Sequence, residues 1–344
     1  MNGHFSMLRH YEEVPEGFLN CGPADLQALL GGPSLFCLEG QRSPPLFITV
    51  LQHGNEPTGF EAVQMLLRKY QGGKLPRSVW LFVSNVAAAA EGQRVLHGQA
   101  DYNRVWPGTP ISECPETALM REVVETVTKD GLFASVDLHN NTGCNPHYGC
   151  VNKLDTPFLN LAALFARTVV FFETPRGVQS LAMAEHCPAV TLECGQAGEN
   201  AALRHAYEYI DACLHLHHLP EPPPQQTDIH LLHTVAIVKM RPGLSFGFET
   251  EKALDVCFRP DLDHFNFSVL EQGATLAKVA ESNELPVLVT DDAGNDISDR
   301  IFEVSDGALR TRCDIIPSMA TLDTGVIKQD CLFYLMEEMT LPAC

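Results

Sequence analysis

Positive charge is scarce in this chain. Its 344 residues carry 23 Lys and Arg against 43 Asp and Glu, a formal charge of -20 with histidine neutral. Phosphate backbones and anionic membranes are bound mainly through Lys and Arg, so this balance excludes them as general partners and leaves room only for a local basic pocket. Long apolar runs are missing as well. The N-terminal stretch MNGHFSMLRHYEEV has no uninterrupted apolar segment of the kind a secretory signal needs. The longest apolar region, Phe158 to Phe172, is too short to span a bilayer and is broken by Asn160 and Arg167. Paired cysteine motifs are absent too: the 12 cysteines are scattered and none form CxxC, which points to reduced, mostly buried thiols. Together these absences predict a soluble cytoplasmic protein with no membrane span.

What is present is core-forming material. Apolar residues make up 45% and charged residues 19%, ample for buried cores, and the length favours two domains over one. Up to about residue 219, short β-rich runs (SLFCLEG, LFITVLQ, SVWLFVS, FASVDLH, TVVFFE, AVTLEC) alternate with amphipathic helical ones (GFEAVQMLLRKY, PETALMREVVETVTK, TPFLNLAALFAR, ENAALRHAYEYIDACLHL). Near-continuous apolar strands separated by helices imply an α/β architecture, a mixed and largely parallel sheet flanked by helices. The segment PEPPPQQTD, residues 220–228, cannot continue a helix and reads as a linker. Beyond it, short strand-like runs such as HTVAIVKM, PVLVT and IFEVS alternate with turn signals. The expected organisation is an α/β domain over 1–219, a Pro-rich linker over 220–228 and a smaller β-rich domain over 229–344.

Polar residues punctuate the ends of several predicted strands. QHGNEPTG follows FITVL and precedes a helix, DLHNN ends a second strand, AVTLECGQ ends a third, and ADYNRVWPG forms a loop. Open α/β sheets bind ligands at the carboxyl ends of their strands, so His53, Glu56, His139 and Glu193 can converge there. Two imidazoles and one carboxylate match a catalytic zinc site, which uses three protein ligands and keeps one position for water. His53 and Glu56 come from one turn and His139 supplies the third ligand. Glu193 suits the proton shuttle that such chemistry needs near the metal.

HGNEPTG, the series Asn85, Ala88, Arg94, Asp101, Asn103 and Arg104, then DLHN and TLECG resemble the succinylglutamate desuccinylase/aspartoacylase family of zinc carboxypeptidase-like enzymes. IIPSMATLDTGVI near the C-terminus is similar to that family's terminal β-domain, so the resemblance covers nearly the whole chain. It implies one zinc per chain on His53, Glu56 and His139, Glu193 as general base and acid, and Asn103 with Arg104 holding the carboxylate of a small N-acyl amino acid. A guanidinium fork matches a carboxylate bidentately, which agrees for Arg104. The expected activity is therefore zinc-dependent removal of an acyl group from an amino acid; a carboxypeptidase-like peptidase is the neighbouring alternative, and a homo-oligomer is compatible with either. The aspartoacylase branch places arginines where this chain has Ala87 and Met183, so a second substrate carboxylate loses those partners. Desuccinylase-like members share the loss of the first arginine, and their HPHYG-like sequence is echoed by NPHYG, with His147 displaced. Arg94, Arg176 and Arg204 are other arginines able to supply charge to the pocket.

Three rival readings compete. GLSFG fits G-x-S-x-G and would make Ser245 a nucleophile, with His264 the only later histidine. The tract HLHHLP, His215 to Pro220, is either a metal site or a helix end at which histidines meet the C-terminal dipole. A non-catalytic binding protein could keep the same fold, although the metal set and Glu193 are all present.

Overall fold

The computed structural model describes residues 7–248, 254–280 and 284–341. The chain divides into two compact units, one containing the described residues up to Asn140 with His147–His230 and Leu341, the other containing Asn141–Pro146 and Leu231–Thr340.

The strands of the first unit are β1 (Arg9–Tyr11), β2 (Ser34–Leu38), β3 (Leu46–Val50), β4 (Val79–Val83), β5 (Ala134–Asn141), β6 (Tyr148–Val151), β7 (Thr168–Phe171) and β8 (Ala189–Gln196). They lie side by side in the order β1-β2-β4-β3-β5-β8-β6-β7. Pairing is mixed: β3 runs parallel to β4 and β5, whereas β2 opposes β4 and β6 opposes β8. Every residue of β3 and β5 is buried, which requires cover on both faces and explains why these strands read as near-continuous apolar runs. The helices are α1 (Leu26–Leu30), α2 (Thr58–Lys69), α3 (Val86–Ala90), α4 (Pro115–Val127), α5 (Thr156–Ala163), α6 (Gln179–Met183) and α7 (Asn200–His215). In α2 the buried Phe60, Ala62, Val63, Leu66 and Leu67 form one stripe, and this helix packs against α7.

The second unit is β-rich. It contains β9 (His230–Met240), β10 (Phe246–Gly247), β11 (Val256–Phe258), β12 (Thr275–Val279), β13 (Val287–Asp291), β14 (Phe302–Ser305), β15 (Ala308–Thr311), β16 (Ile316–Ser318) and β17 (Phe333–Glu338), with short helices α8 (Ser298–Ile301) and α9 (Thr324–Gln329). β13, β9, β17 and β16 pair antiparallel in that order, and a five-stranded sheet runs β10-β11-β12-β15-β14. Val238, Phe258, Leu276, Val289, Phe302 and Phe333 lie at the centre of its core.

Two of the rival readings meet the structure here. Ser245 precedes the short β10 and its hydroxyl donates to Asp255 Oδ2 at 2.7 Å, so the strand-turn-helix geometry of a serine nucleophile is absent. The histidines after α7 form no metal-ligating group among the described residues. There the backbone carbonyls of His215, Leu216 and His217 accept from Arg42 and Arg77, so arginines complete the helix end. No helix of the described residues is long and apolar enough to cross a membrane.

Candidate metal centre

His53 and Glu56 sit in the loop between β3 and α2. Leu51, the first residue beyond β3, adopts φ 58, a conformation uncommon for a side chain of this kind. The next turn passes so close to α3 that a Cβ on Gly54 would lie 2.2 Å from the backbone of Ala88 and Ala89. Only glycine fits there. The Gly54 amide donates to the Arg94 carbonyl at 3.1 Å. The segment carrying Arg94 and Asp101 is itself fixed by Asn85, whose amide exchanges two hydrogen bonds with Gln99 at 3.0 and 3.1 Å. Asn85 also caps α3 by accepting from the Ala88 amide.

His139 arrives from β5. Alternation along that strand puts Ser135, Asp137 and His139 on one face, and all three are buried. His53 Nδ1 lies 2.8 Å from Glu56 Oε1, and His139 Nδ1 lies 2.8 Å from Glu56 Oε2. The far nitrogens also meet carboxylates: His53 Nε2 is 3.1 Å from Asp101 Oδ1 and His139 Nε2 is 2.9 Å from Asp137 Oδ2. Gln52 extends this polar chain by donating to Asp137 Oδ2 at 2.6 Å while accepting from the Trp106 indole at 2.6 Å.

The electrostatics of the cluster are those of a site with cationic demand. Burial alone would raise Glu56, yet the two imidazoles hold it well below the usual carboxylate range. Burial opposes charge on His139, but Asp137 and Glu56 outweigh it and keep its pKa well above normal. For His53, burial and Arg94 pull down and are overcome by Glu56 and Asp101. The buried carboxylates thus favour positive charge at both imidazoles, and a divalent cation can supply that charge in place of protons. One ligand atom from each of His53, Glu56 and His139 lies within 4.8 Å of the others. Three converging N and O donors, each imidazole with a carboxylate on its other nitrogen, fit a zinc-type ion.

Glu193 lies near the end of β8, opposite Tyr148 of β6 in register. It is only 8% exposed, and its Oε2 has no hydrogen-bond partner. Burial pushes its pKa to about 7, with His139 opposing and Glu56 adding to the shift. Asn103 and Arg104 form the 3-10 turn Tyr102–Arg104, capped by Asp101, which accepts from the Asn103 amide at 2.8 Å. Both are half-buried. A Cβ on Gly177 would lie 2.3 Å from the Arg104 carbonyl, so this glycine lets the two segments approach.

The other candidates separate clearly. Arg94 enters the cluster, with its guanidinium 3.4 Å from Glu56 Oε1 and 3.6 Å from Asp101 Oδ2. Arg204 is an exposed partner of Glu208, and Arg176 is exposed. His147 stacks on His205 with ring centroids 4.8 Å apart and packs near Phe165. Met183 is fully buried at the end of α6. Asp137, Asp101 and Gln52 had no role assigned from sequence; the alternation D-x-H within one strand was the available signal for Asp137.

The family model for the succinylglutamate desuccinylase/aspartoacylase catalytic domain matches residues 43–214. No curated protein matches the chain by sequence. Among solved structures, succinylglutamate desuccinylase from Chromobacterium violaceum is 17% identical with a TM-score of 0.54, over 88% of this chain and 86% of that one. A succinylglutamate desuccinylase/aspartoacylase from Rhodobacter sphaeroides is 16% identical with a TM-score of 0.57, over 88% of each chain. Murine aminoacylase 3 is 16% identical with a TM-score of 0.53, over 88% of this chain and 99% of that one. These likenesses show a shared fold across both units. With half of its length matched by the family model, the chain belongs to the succinylglutamate desuccinylase/aspartoacylase family.

Proposed function

We propose that the chain is a zinc-dependent amidohydrolase, one zinc per chain, that cleaves an N-acyl amino acid into a carboxylate and a free amine. The observation that carries this reading is the convergence of His53 Nδ1 and His139 Nδ1 on the two oxygens of Glu56. In this reading these three residues hold zinc, the imidazoles by the nitrogens that face Glu56, while Asp101 and Asp137 fix the ring orientations. The chemistry zinc supplies there is acidification of a water and polarisation of an acyl carbonyl.

Glu193 moves the proton. Its enclosed Oε2 takes a proton from the attacking water and gives it to the leaving nitrogen, a task suited to a carboxyl that burial has brought to about 7. Arg104 and Asn103 hold the carboxylate of the amino acid. Arg94, placed between Glu56 and Asp101, adds positive charge where negative charge develops on the acyl oxygen. The described cysteines are all free thiols, which suits the reducing cytoplasm.

Metal analysis and steady-state kinetics test the assignment together. His53→Ala and His139→Ala should fold and lose zinc; folded variants that keep full metal content would remove these residues from the ligand set. Glu193→Gln should keep zinc while turnover of N-acyl amino acids falls by about 10² to 10⁴. Near-normal turnover in that variant excludes Glu193 as the proton carrier.

A further inference from the structure

A second group of metal-ligating side chains lies wholly within the β-rich unit. Cys144, in the segment Asn141–Pro146, and Asp263 and His264, on the 3-10 turn Leu262–Phe265, each offer one ligand atom, and these atoms lie within 4.8 Å of one another. The sequence gives no hint of the grouping, because about 120 residues separate Cys144 from the other two and no CxxC or HxxE spacing marks it.

We propose that Cys144, Asp263 and His264 form a second site for a borderline divalent cation, zinc before others. A thiolate, an imidazole and a carboxylate are the donor types zinc takes, and the thiolate disfavours magnesium and calcium, which prefer all-oxygen sites.

Two features beyond proximity support a built site. Asp263 is only 8% exposed, and its Oδ1 is enclosed without a hydrogen-bond partner, while Oδ2 accepts from the Cys144 amide at 3.3 Å. A buried carboxylate oxygen without a partner is costly, and a cation removes that cost. The second feature is rigidity. Asn266, next to the turn, donates to the carbonyls of Cys144 at 3.3 Å and Ala320 at 2.9 Å and accepts from the Ala320 amide at 2.9 Å. The Met319 amide donates to Asn145 at 3.0 Å, and a Cβ on Gly143 would lie 1.9 Å from the Ala320 carbonyl oxygen. The backbone on both sides of Cys144 is thus fixed before any ion binds, which lowers the ordering entropy of binding. Cys144 and His264 are exposed, so a cation can enter from solvent and keep at least one water. Binding would displace the thiol proton to solvent and leave the ion held by a thiolate, a neutral imidazole and a carboxylate.

Zinc titration of the full-length protein already carrying its first metal tests the proposal. The native protein should take up a second equivalent. Cys144→Ser, at an exposed position, should fold, keep the first equivalent and lose the second; Asp263→Asn should weaken the second by about tenfold or more. With cobalt in place of zinc, the second equivalent should bring a thiolate-to-metal absorption band in the near ultraviolet that Cys144→Ser abolishes. His53→Ala with His139→Ala should do the reverse, losing the first equivalent and keeping the cobalt-thiolate band. Absence of a second equivalent in the native protein overturns the proposal, as does its undiminished uptake by Cys144→Ser. Loss of the first equivalent alone would leave this site standing and count only against the catalytic reading.

Discussion

At the scale of single residues, the His-Glu-His cluster depends on the carboxylates behind its imidazoles. Asp137 is fully buried in β5; its Oδ2 receives Gln52 and faces His139 Nε2, and its Oδ1 has no hydrogen-bond partner. It therefore decides which nitrogen of His139 is left to face Glu56. Asp137→Asn keeps the shape, but one end of the amide is a donor where an acceptor is needed, and the imidazole loses its anionic support. Metal affinity should fall by about 10- to 100-fold, measured by competition with a chromophoric chelator, while Glu193→Gln leaves affinity near the native value. Equal affinity in Asp137→Asn and the native chain would show that the carboxylate does not orient the ligand. The grouping of His53, Glu56 and His139 was legible from sequence because each ends or follows an apolar run, and Glu193 was picked out by the same signal. Asp101 stood only as a member of a series, and Arg94 as a member of it and one of three arginines able to reach the pocket, since their ion pairs with His53 and Glu56 join segments about 40 to 50 residues apart and leave no local pattern.

At the scale of elements, the two ends of the central strands do different work. His53 follows the carboxyl end of β3 and His139 lies near that of β5, whereas Arg77 precedes the amino end of β4. Arg77 is 1% exposed; its guanidinium donates to the Pro44 and Leu216 carbonyls at 2.7 Å each and lies 3.8 Å from the centre of the Phe133 ring. One planar cation thus ties the turn before β3 and the end of α7 together. Arg77→Met keeps much of the apolar stem but strands buried carbonyls, at a cost of about 2 to 4 kcal/mol. Urea unfolding should show that loss, while turnover per bound metal stays near native because the change is at the opposite strand end. A variant with native stability would mean that water satisfies those carbonyls. Long elements such as α2, α4 and α7 were readable from periodicity. The short β6, α3 and α6 were not, because four or five residues carry too little pattern and such elements persist only through tertiary contacts. The same limit hid the assignment of 141–146 to the β-rich unit, which depends on Asn266 and Ala320 rather than on anything nearby in the chain.

At the scale of the whole molecule, net charge bears on the substrates proposed for the site. The chain carries -20, so each negative charge on a substrate adds long-range repulsion that only local cations offset. Arg94 and Arg104 are the arginines acting on Asp101, and Arg94 already faces Glu56. In the proposed reading Arg104 also holds the carboxylate of the amino acid. For a second carboxylate, Ala87 and Met183 offer no charge, Met183 is core, and Arg176 and Arg204 are exposed, the latter paired with Glu208. N-Acyl amino acids with neutral side chains should therefore have higher kcat/KM than N-acetylaspartate. The difference should also depend on salt. The Debye length falls from about 30 Å at 0.01 M to about 8 Å at 0.15 M ionic strength, so raising salt relieves repulsion for the dianion more than for the monoanion. The ratio of the two kcat/KM values should shrink across that range but stay above one, because the missing partner in the pocket is a contact that screening does not supply. Blocking the amino-acid carboxylate as an amide should lower kcat/KM sharply at every ionic strength, since it removes the anion that Arg104 is proposed to hold. A panel assayed with metal-loaded enzyme at the two salt concentrations decides the matter: a preference for N-acetylaspartate would show that another cation enters the pocket, and a salt-independent ratio would show that the field of the whole chain does not reach the substrate.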